Sequence, residues 1–142
     1  MSKNTYPETS CAWATEIYVD IRYVDKYIID THLDALVSPL HDKDLKLHID
    51  EINGHVYESY RLKKPHRHIE FIFPRPVSES TFDYMLKHKI ERHGFTCVGR
   101  ERLYDMVSYA RYLAHMDNPE KAQYPKEDII YYGRARPTIL EM

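Results

Sequence analysis

Two cysteines, Cys11 and Cys97, are all that this chain of 142 residues contains. Two are too few for a disulfide framework, and they read as buried free thiols in a reducing cytoplasm. Nor does any stretch approach the roughly 18 uncharged apolar residues that a membrane span needs. The polar opening from Met1 to Pro7 lacks the apolar core of a signal peptide. No internal repeat and no low-complexity linker divides the chain. The length suits one domain with a core of useful size and is too short for two, so residues 1–142 are expected to form a single domain. A composition 43% hydrophobic and 30% charged is that of a soluble globular protein rather than a disordered one.

A strong excess of one charge sign is also missing. The net charge of −2 argues against a general nucleic-acid coat, but the average hides an asymmetry. Residues 1–60 hold 5 Lys/Arg against 11 Asp/Glu, whereas residues 61–142 hold 15 against 11. Local charge governs backbone binding more than the total does. The basic half carries Lys63, Lys64, Arg67, Arg100, Arg102 and Arg111, which are the candidates for phosphate contacts. A solvated mixed surface would account for the same numbers.

What is present is a succession of strand and helix signals. Ala12 to Ile21 is rich in β-branched and aromatic residues and reads as a first strand. Asp25 to Leu36 has apolar residues at near-helical spacing, and Leu36 to Leu40 is a short apolar run before the polar cluster His41-Asp42-Lys43-Asp44. Asn53-Gly54 is a turn signal before a strand over His55 to Leu62. His66 to Phe73 is the strongest strand pattern. After Pro74 and Pro76, the residues Phe82, Met85, Leu86 and Ile90 keep a helical period that Gly94 ends. Phe95 to Leu103 reads as a strand, Asp105 to about Met116 as a helix, and Ile129 to Tyr132 as a closing strand. This order predicts an α+β sandwich: an antiparallel sheet of about five strands flanked by helices, similar in outline to RNA-recognition-motif folds.

In the strand over His66 to Phe73, alternation places His66, His68, Glu70 and Ile72 on one face. Arg67, Ile69, Phe71 and Phe73 fall on the other, which reads as the core face. The two imidazoles then stand exposed on a common face, about 6–7 Å apart along the chain, where both can reach one ion. Among 9 histidines an HxH pair can arise by chance. His41 and Asp44, three residues apart at a strand end, offer one further nitrogen and one oxygen. Three imidazoles and a carboxylate suit Mn²⁺, Co²⁺, Ni²⁺ or Zn²⁺ and suit Ca²⁺ poorly. An ion with open positions polarises a phosphoryl oxygen and orients it for in-line attack. A tyrosine can act as nucleophile there. Of 13 tyrosines, Tyr109 and Tyr112 share one predicted helical face with His115, and without the metal-site argument a core-facing aromatic stripe is the better explanation of them.

The segments Ser38–Asp44 (SPLHDKD), Lys63–Ile72 (KKPHRHIEFI) and Arg111–Tyr124 (RYLAHMDNPEKAQY) stand in an order that resembles a known family. It is that of the rolling-circle plasmid replication initiators of Gram-positive bacteria, HUH endonucleases of the Rep_2 type. The resemblance extends from about residue 36 to residue 133. It implies an antiparallel sheet with flanking helices and a metal site of His41, Asp44, His66 and His68, with Mn²⁺ or Mg²⁺ as the usual ion. Tyr112, followed by Leu113-Ala114-His115, is the implied nucleophile. The implied activity is strand-specific nicking of the double-strand origin, leaving a 5′-phosphotyrosine and a free 3′-hydroxyl primer, with strand transfer to close the product. The implied partners are origin DNA (a single-stranded nick site and adjacent duplex), a host helicase and polymerase, and further copies of the chain. Two features depart from the pattern. Arg67 stands between the histidines, where a bulky hydrophobic residue is usual, and family members often carry a C-terminal oligomerisation region beyond the nuclease domain.

Two other readings fit parts of the pattern. A non-catalytic RNA-recognition-like module would bind nucleic acid through Tyr and Arg side chains without metal. A structural zinc protein would use the same ligands in a closed site. Duplex recognition is open between the Arg100/Arg102 region and a loop around Lys43–Glu58. Lys63 and Lys64 adjoin the histidine strand and are better placed to hold the backbone of the nicked strand.

Overall fold

A computed structural model of the protein describes residues 9–104 and 111–133. Among these residues the chain runs β1 (Thr9–Ile17), α1 (Ile21–Asp30), β2 (Asp34–Val37), β3 (Leu45–Ile52), β4 (His55–Leu62), β5 (Arg67–Ser78), α2 (Glu79–Lys89), β6 (Cys97–Leu103) and β7 (Ile130–Tyr132). Five strands form one antiparallel sheet in the order β6-β1-β5-β2-β7, and β3 pairs with β4 in a separate hairpin. This is the expected α+β class. With the hairpin set aside, β1-α1-β2 and β5-α2-β6 are two strand–helix–strand halves whose first strands lie together at the centre of the sheet.

Both helices cover one face of the sheet. Asp20 caps α1 by accepting from the Arg22 N–H, and the helix buries Ile21, Val24 and Ile28 at helical spacing. Ser78 caps α2, Glu79 opens it, and Lys87, His88 and Lys89 fill its last turn, each sign at the end of the helix dipole that favours it. Phe82 and Leu86 from α2 join Trp13, Ile17, Phe71 and Val37 from the sheet in one buried cluster. Ile69, Phe71 and Phe73 therefore face the core, as alternation predicts. Gly94, at φ 93°, ends the 3-10 turn Glu91–His93 in a left-handed conformation that favours glycine.

The opposite face is covered as well. Ala12, Ala14, Leu36 and Leu103 pack there beneath Leu113, Ala114, Tyr124 and Ile129 from the segment 111–129. The two alanines let that segment approach the sheet closely. Gln123 ties it into shape, donating from Nε2 to the carbonyls of His115, Asn118 and Lys121.

Several boundaries differ from the sequence reading. Strand β1 stops at Ile17 rather than Ile21, because the Asp20 cap starts the helix there. Helix α1 ends at Asp30, His32 turns the chain at φ 57°, and Leu36 lies inside β2. The segment expected as a loop around Lys43–Glu58 contains β3 and the first half of β4. Strand β5 continues past Phe73 to Ser78. Its prolines are accommodated because pairing with β1 skips from Ile72 to Val77. Residues 105–110, including Asp105 and Tyr109, lie outside the described residues. The helical conformation at 111–112 gives way to turns by residue 113.

Candidate metal centre

The site forms where β2 and β5 end together. Val37 pairs with Ile69, but four residues later His41 pairs with His66, so the register slips by one residue between them. Backbone hydrogen bonds of 2.8 and 3.2 Å join His41 and His66 in both directions. In an unbroken strand, His41 would share the helix-covered face with Ala35 and Val37. The extra residue turns it to the other face, beside His66 and His68. Glu16 lies opposite His68 on β1.

One oxygen and three imidazoles converge there. His41, Asp44, His66 and His68 each present a ligand atom, all within 4.8 Å of one another. His41 Nε2 lies 2.6 Å from the carbonyl of Leu113 and His66 Nδ1 lies 2.9 Å from that of Lys64. A carbonyl only accepts, so each of these ring nitrogens carries the hydrogen. The remaining nitrogens, His41 Nδ1 and His66 Nε2, then point lone pairs at Asp44 Oδ2 from 3.0 and 3.2 Å. His66 Nε2 makes no hydrogen bond among the described residues. Burial, the largest influence on His41, lowers its pKa and favours the neutral ring. Acceptor facing acceptor is unfavourable unless a cation lies between them. Histidines that direct their second N–H to a carbonyl are also those whose bare nitrogen is oriented to bind metal. The donor set fits a first-row divalent ion.

Outside this ring lie residues that sequence reasoning did not single out as supports. Tyr124 donates its hydroxyl hydrogen to Asp44 Oδ1 at 2.6 Å, accepts from the Lys43 N–H, and stacks on His41 with ring centroids 4.2 Å apart. Burial pushes the Asp44 carboxyl up, but the Tyr124 hydrogen bond and the neighbouring imidazoles outweigh it and leave the pKa below the usual range. Glu16 Oε1 lies 3.7 Å from His68 Nδ1, and burial, followed by the other histidines, holds His68 down to about 3. The site is not the exposed face expected. His41, His66, His68 and His115 are all buried, because the segment 111–129 lies over them. Nothing in a strand pattern signals a cover that arrives some 50 residues later.

Tyr112 stands at the rim, half-buried, its ring 5.8 Å from that of His68 and 5.4 Å from that of His115. Burial raises its pKa, as do the carboxylates of Glu101, Glu16 and Asp44, while Lys121 Nζ lies 5.2 Å from the ring centroid. His115 adopts φ 57° and directs Nδ1–H to the Ala122 carbonyl. A cleft of about 830 Å³ opens here, lined by Lys43, Lys63, Lys121, Tyr60, His68 and Tyr112 among others.

The basic candidates divide. Lys63 lines the cleft, and Lys64 lies at its side with Nζ 5.8 Å from the Tyr18 ring centroid. Arg67 reaches across β2, donating to the Ser38 carbonyl. Arg111 makes a two-pronged ion pair with Asp117. Arg102 packs over Tyr104. Arg100 is not brought to the cluster. It lies on the helix-covered side, where Asp83 and Glu91 engage it.

The α+β sandwich thus sets a buried His/Asp cluster beside a cleft lined by three lysines and three carboxylates. Residues 19–134 match the family model described as plasmid replication protein, origin binding domain, and the chain belongs to that family. It is 28% identical to a replication protein of Staphylococcus aureus, over 94% of this chain and 63% of the relative. It is 32% identical to the replication protein RepB of Lactiplantibacillus plantarum, over 68% of this chain and 37% of the relative. The chain therefore spans less than two thirds of the length of these relatives. Among the described residues, no helix is long and apolar enough to cross a membrane.

Proposed function

We propose that this domain binds plasmid origin DNA and nicks one strand at the cleft, as an HUH endonuclease of the Rep_2 type, with Tyr112 as nucleophile. The observation that carries the reading is the convergence of three buried imidazoles and Asp44 around a point where uncompensated lone pairs face a carboxylate. His41, Asp44, His66 and His68 would hold the ion, Mn²⁺ first, with Mg²⁺, Co²⁺, Ni²⁺ and Zn²⁺ as alternatives. When bound, the ion supplies Lewis-acid polarisation of a phosphoryl oxygen.

The residues around the site supply the rest. Lys43 and Lys63 bring positive charge to the phosphates of the strand. Tyr112 Oη attacks phosphorus: the Oη–P bond forms, the P–O3′ bond breaks, and the phenolic proton ends on the released 3′-hydroxyl. Lys121, beside the Tyr112 ring, favours the developing phenolate against the Glu16, Glu101 and Asp44 carboxylates. The phosphotyrosine preserves the energy of the broken bond, so attack by a 3′-hydroxyl reverses the step and closes the strand. The free 3′-hydroxyl is the primer that a host polymerase and helicase would extend. Self-association belongs to this reading too.

The test is a Tyr112→Phe variant with a labelled single-stranded oligonucleotide carrying the origin. It should retain oligonucleotide and Mn²⁺ binding and form no covalent adduct. Unchanged nicking would move the nucleophile elsewhere, with Tyr109 the first alternative.

A further inference from the structure

The hairpin β3–β4 lies outside the five-stranded sheet and has two unlike faces. Pairing sets Leu45 opposite Leu62, Leu47 opposite Tyr60, Ile49 opposite Glu58 and Glu51 opposite Val56. Cross-strand partners share a face, so six large apolar side chains and two glutamates line one side of the ribbon. The other side carries Lys46, Arg61, His48, Ser59, Asp50 and Tyr57, together with Ile52 and His55 at the turn. An ordinary half-buried hairpin would bury the apolar side. Here its residues stay open, with Leu47 at 48% and Tyr60 at 72% exposure. An apolar surface kept open on a small domain needs an occupant.

Two observations choose the occupant. The apolar side is continuous with the cleft, because Leu45 and Tyr60, at the root of the ribbon, line it together with His68 and Tyr112. Charge also varies along it: the root half of that face carries no charge of its own and adjoins Lys43, Lys63 and Lys121, which line the cleft together with Glu16, Asp44 and Glu120, whereas both glutamates of the face lie toward the tip. A ligand that lies on the root half and engages these lysines is anionic on one side and flat and apolar on the other. Single-stranded DNA has that character, since its phosphates follow the lysines and its unstacked bases pack on side chains. Duplex DNA keeps its bases stacked inside and offers nothing to Leu47.

We infer that the root half of the hairpin's apolar face, Leu45, Leu47, Tyr60 and Leu62, is a base-packing platform for the nucleotides next to the phosphodiester held in the cleft. This rests on the nicking proposal for the cleft and adds the specificity-determining surface beside it. Tyr60 provides the stacking ring. The leucines provide an apolar floor that excludes water and keeps the strand from re-pairing.

The platform is tested by anisotropy with two labelled probes, dT12 and a 12-mer of the same phosphates with abasic sites throughout, both with Mn²⁺. The wild-type chain should bind dT12 about tenfold or more tighter than the abasic strand, in keeping with the usual strength of base–aromatic stacking. Leu47→Ser/Tyr60→Ser should remove most of that difference while leaving abasic binding within about twofold. His48→Ala/Tyr57→Ser, on the opposite side of the same ribbon, should change neither. Circular dichroism and melting of each variant guard against unfolding. If the double variant unfolds, Tyr60→Ser alone should weaken dT12 binding about fivefold. Equal binding of both probes by the wild type, or an unchanged preference in a folded Leu47/Tyr60 variant, would overturn the platform. So would a wild-type dimer that the double variant alone dissociates, because a second copy would then be the occupant. The cleft reading fails separately, if the wild type forms no Mn²⁺-dependent adduct on origin oligonucleotide.

Discussion

Replacing Tyr124 by Phe tests the organisation of the proposed metal centre with the smallest chemical change. The ring stacks on His41 at 4.2 Å and would stay, while two hydrogen bonds vanish: the 2.6 Å donation to Asp44 Oδ1 and the 3.1 Å acceptance from the Lys43 N–H. A hydrogen bond to a carboxylate is worth about 1.5–3 kcal/mol, so the variant should lose about 2 kcal/mol of stability. For a chain of this length that lowers Tm by about 7 °C. Asp44 loses the bond that does most to hold its pKa down, so its carboxyl should titrate at higher pH. If Asp44 is a ligand, its orientation degrades as well, and outer-shell losses of this kind weaken metal binding by about 10–100-fold. Calorimetric titration with Mn²⁺ at pH 7.5 reads the affinity, and a thermal melt without metal reads the stability. A lower Tm with Mn²⁺ affinity unchanged within twofold would refute the assignment of Asp44 to the ion.

Other consequences follow from the same geometry. His68, held to about 3 in the native protein against an ordinary value near 6.5, stays neutral where the unfolded chain takes up a proton. The metal-free protein should therefore keep this contribution above pH 6.5 and lose it as pH falls, by about 2 kcal/mol at pH 5, and the lowered pKa of Asp44 acts in the same sense only at more acid pH, below about 4. Urea unfolding across that range measures the slope, and a flat profile would contradict it. Cys97 is buried and its thiol is pushed up to about 12 by burial and then by Glu91, so iodoacetamide at pH 8 should label it only after unfolding. Arg100→Gln breaks ion pairs with Asp83 and Glu91 and should cost about 2 kcal/mol, while the salt dependence of DNA binding stays unchanged. Leu113→Ala leaves a void under the cover and should cost about 3 kcal/mol, with weaker Mn²⁺ binding because relaxation of the segment into the void shifts the backbone carbonyl at 113 that orients His41.

Local patterning made much of this legible before any coordinates. The alternation over His66–Phe73 separates a core face from a polar face, and the period of Phe82, Leu86 and Ile90 defines α2, because both signals arise within one turn or one pleat. The four residues of the candidate metal centre were legible as a set only when two segments were read together. Three things were not legible. The one-residue slip between Val37 and His41 is a property of pairing with β5, and it alone turns His41 toward the cluster. The hairpin strand β3 mixes apolar and charged residues because neither of its faces is covered by the other described residues. Tyr124 looked like one tyrosine among many, since its contact with Asp44 spans 80 residues of sequence.

On the proposed mechanism the His41–Asp44–His66–His68 cluster and Tyr112 act together on one phosphodiester. The direct measurement is intact-mass and peptide-mapping spectrometry of the chain after incubation with an origin oligonucleotide. A nucleotide adduct on Tyr112 with Mn²⁺, and none after EDTA, is the expected result. An adduct that forms equally well in EDTA, or one that maps to another tyrosine while Tyr112 stays unmodified, would contradict it.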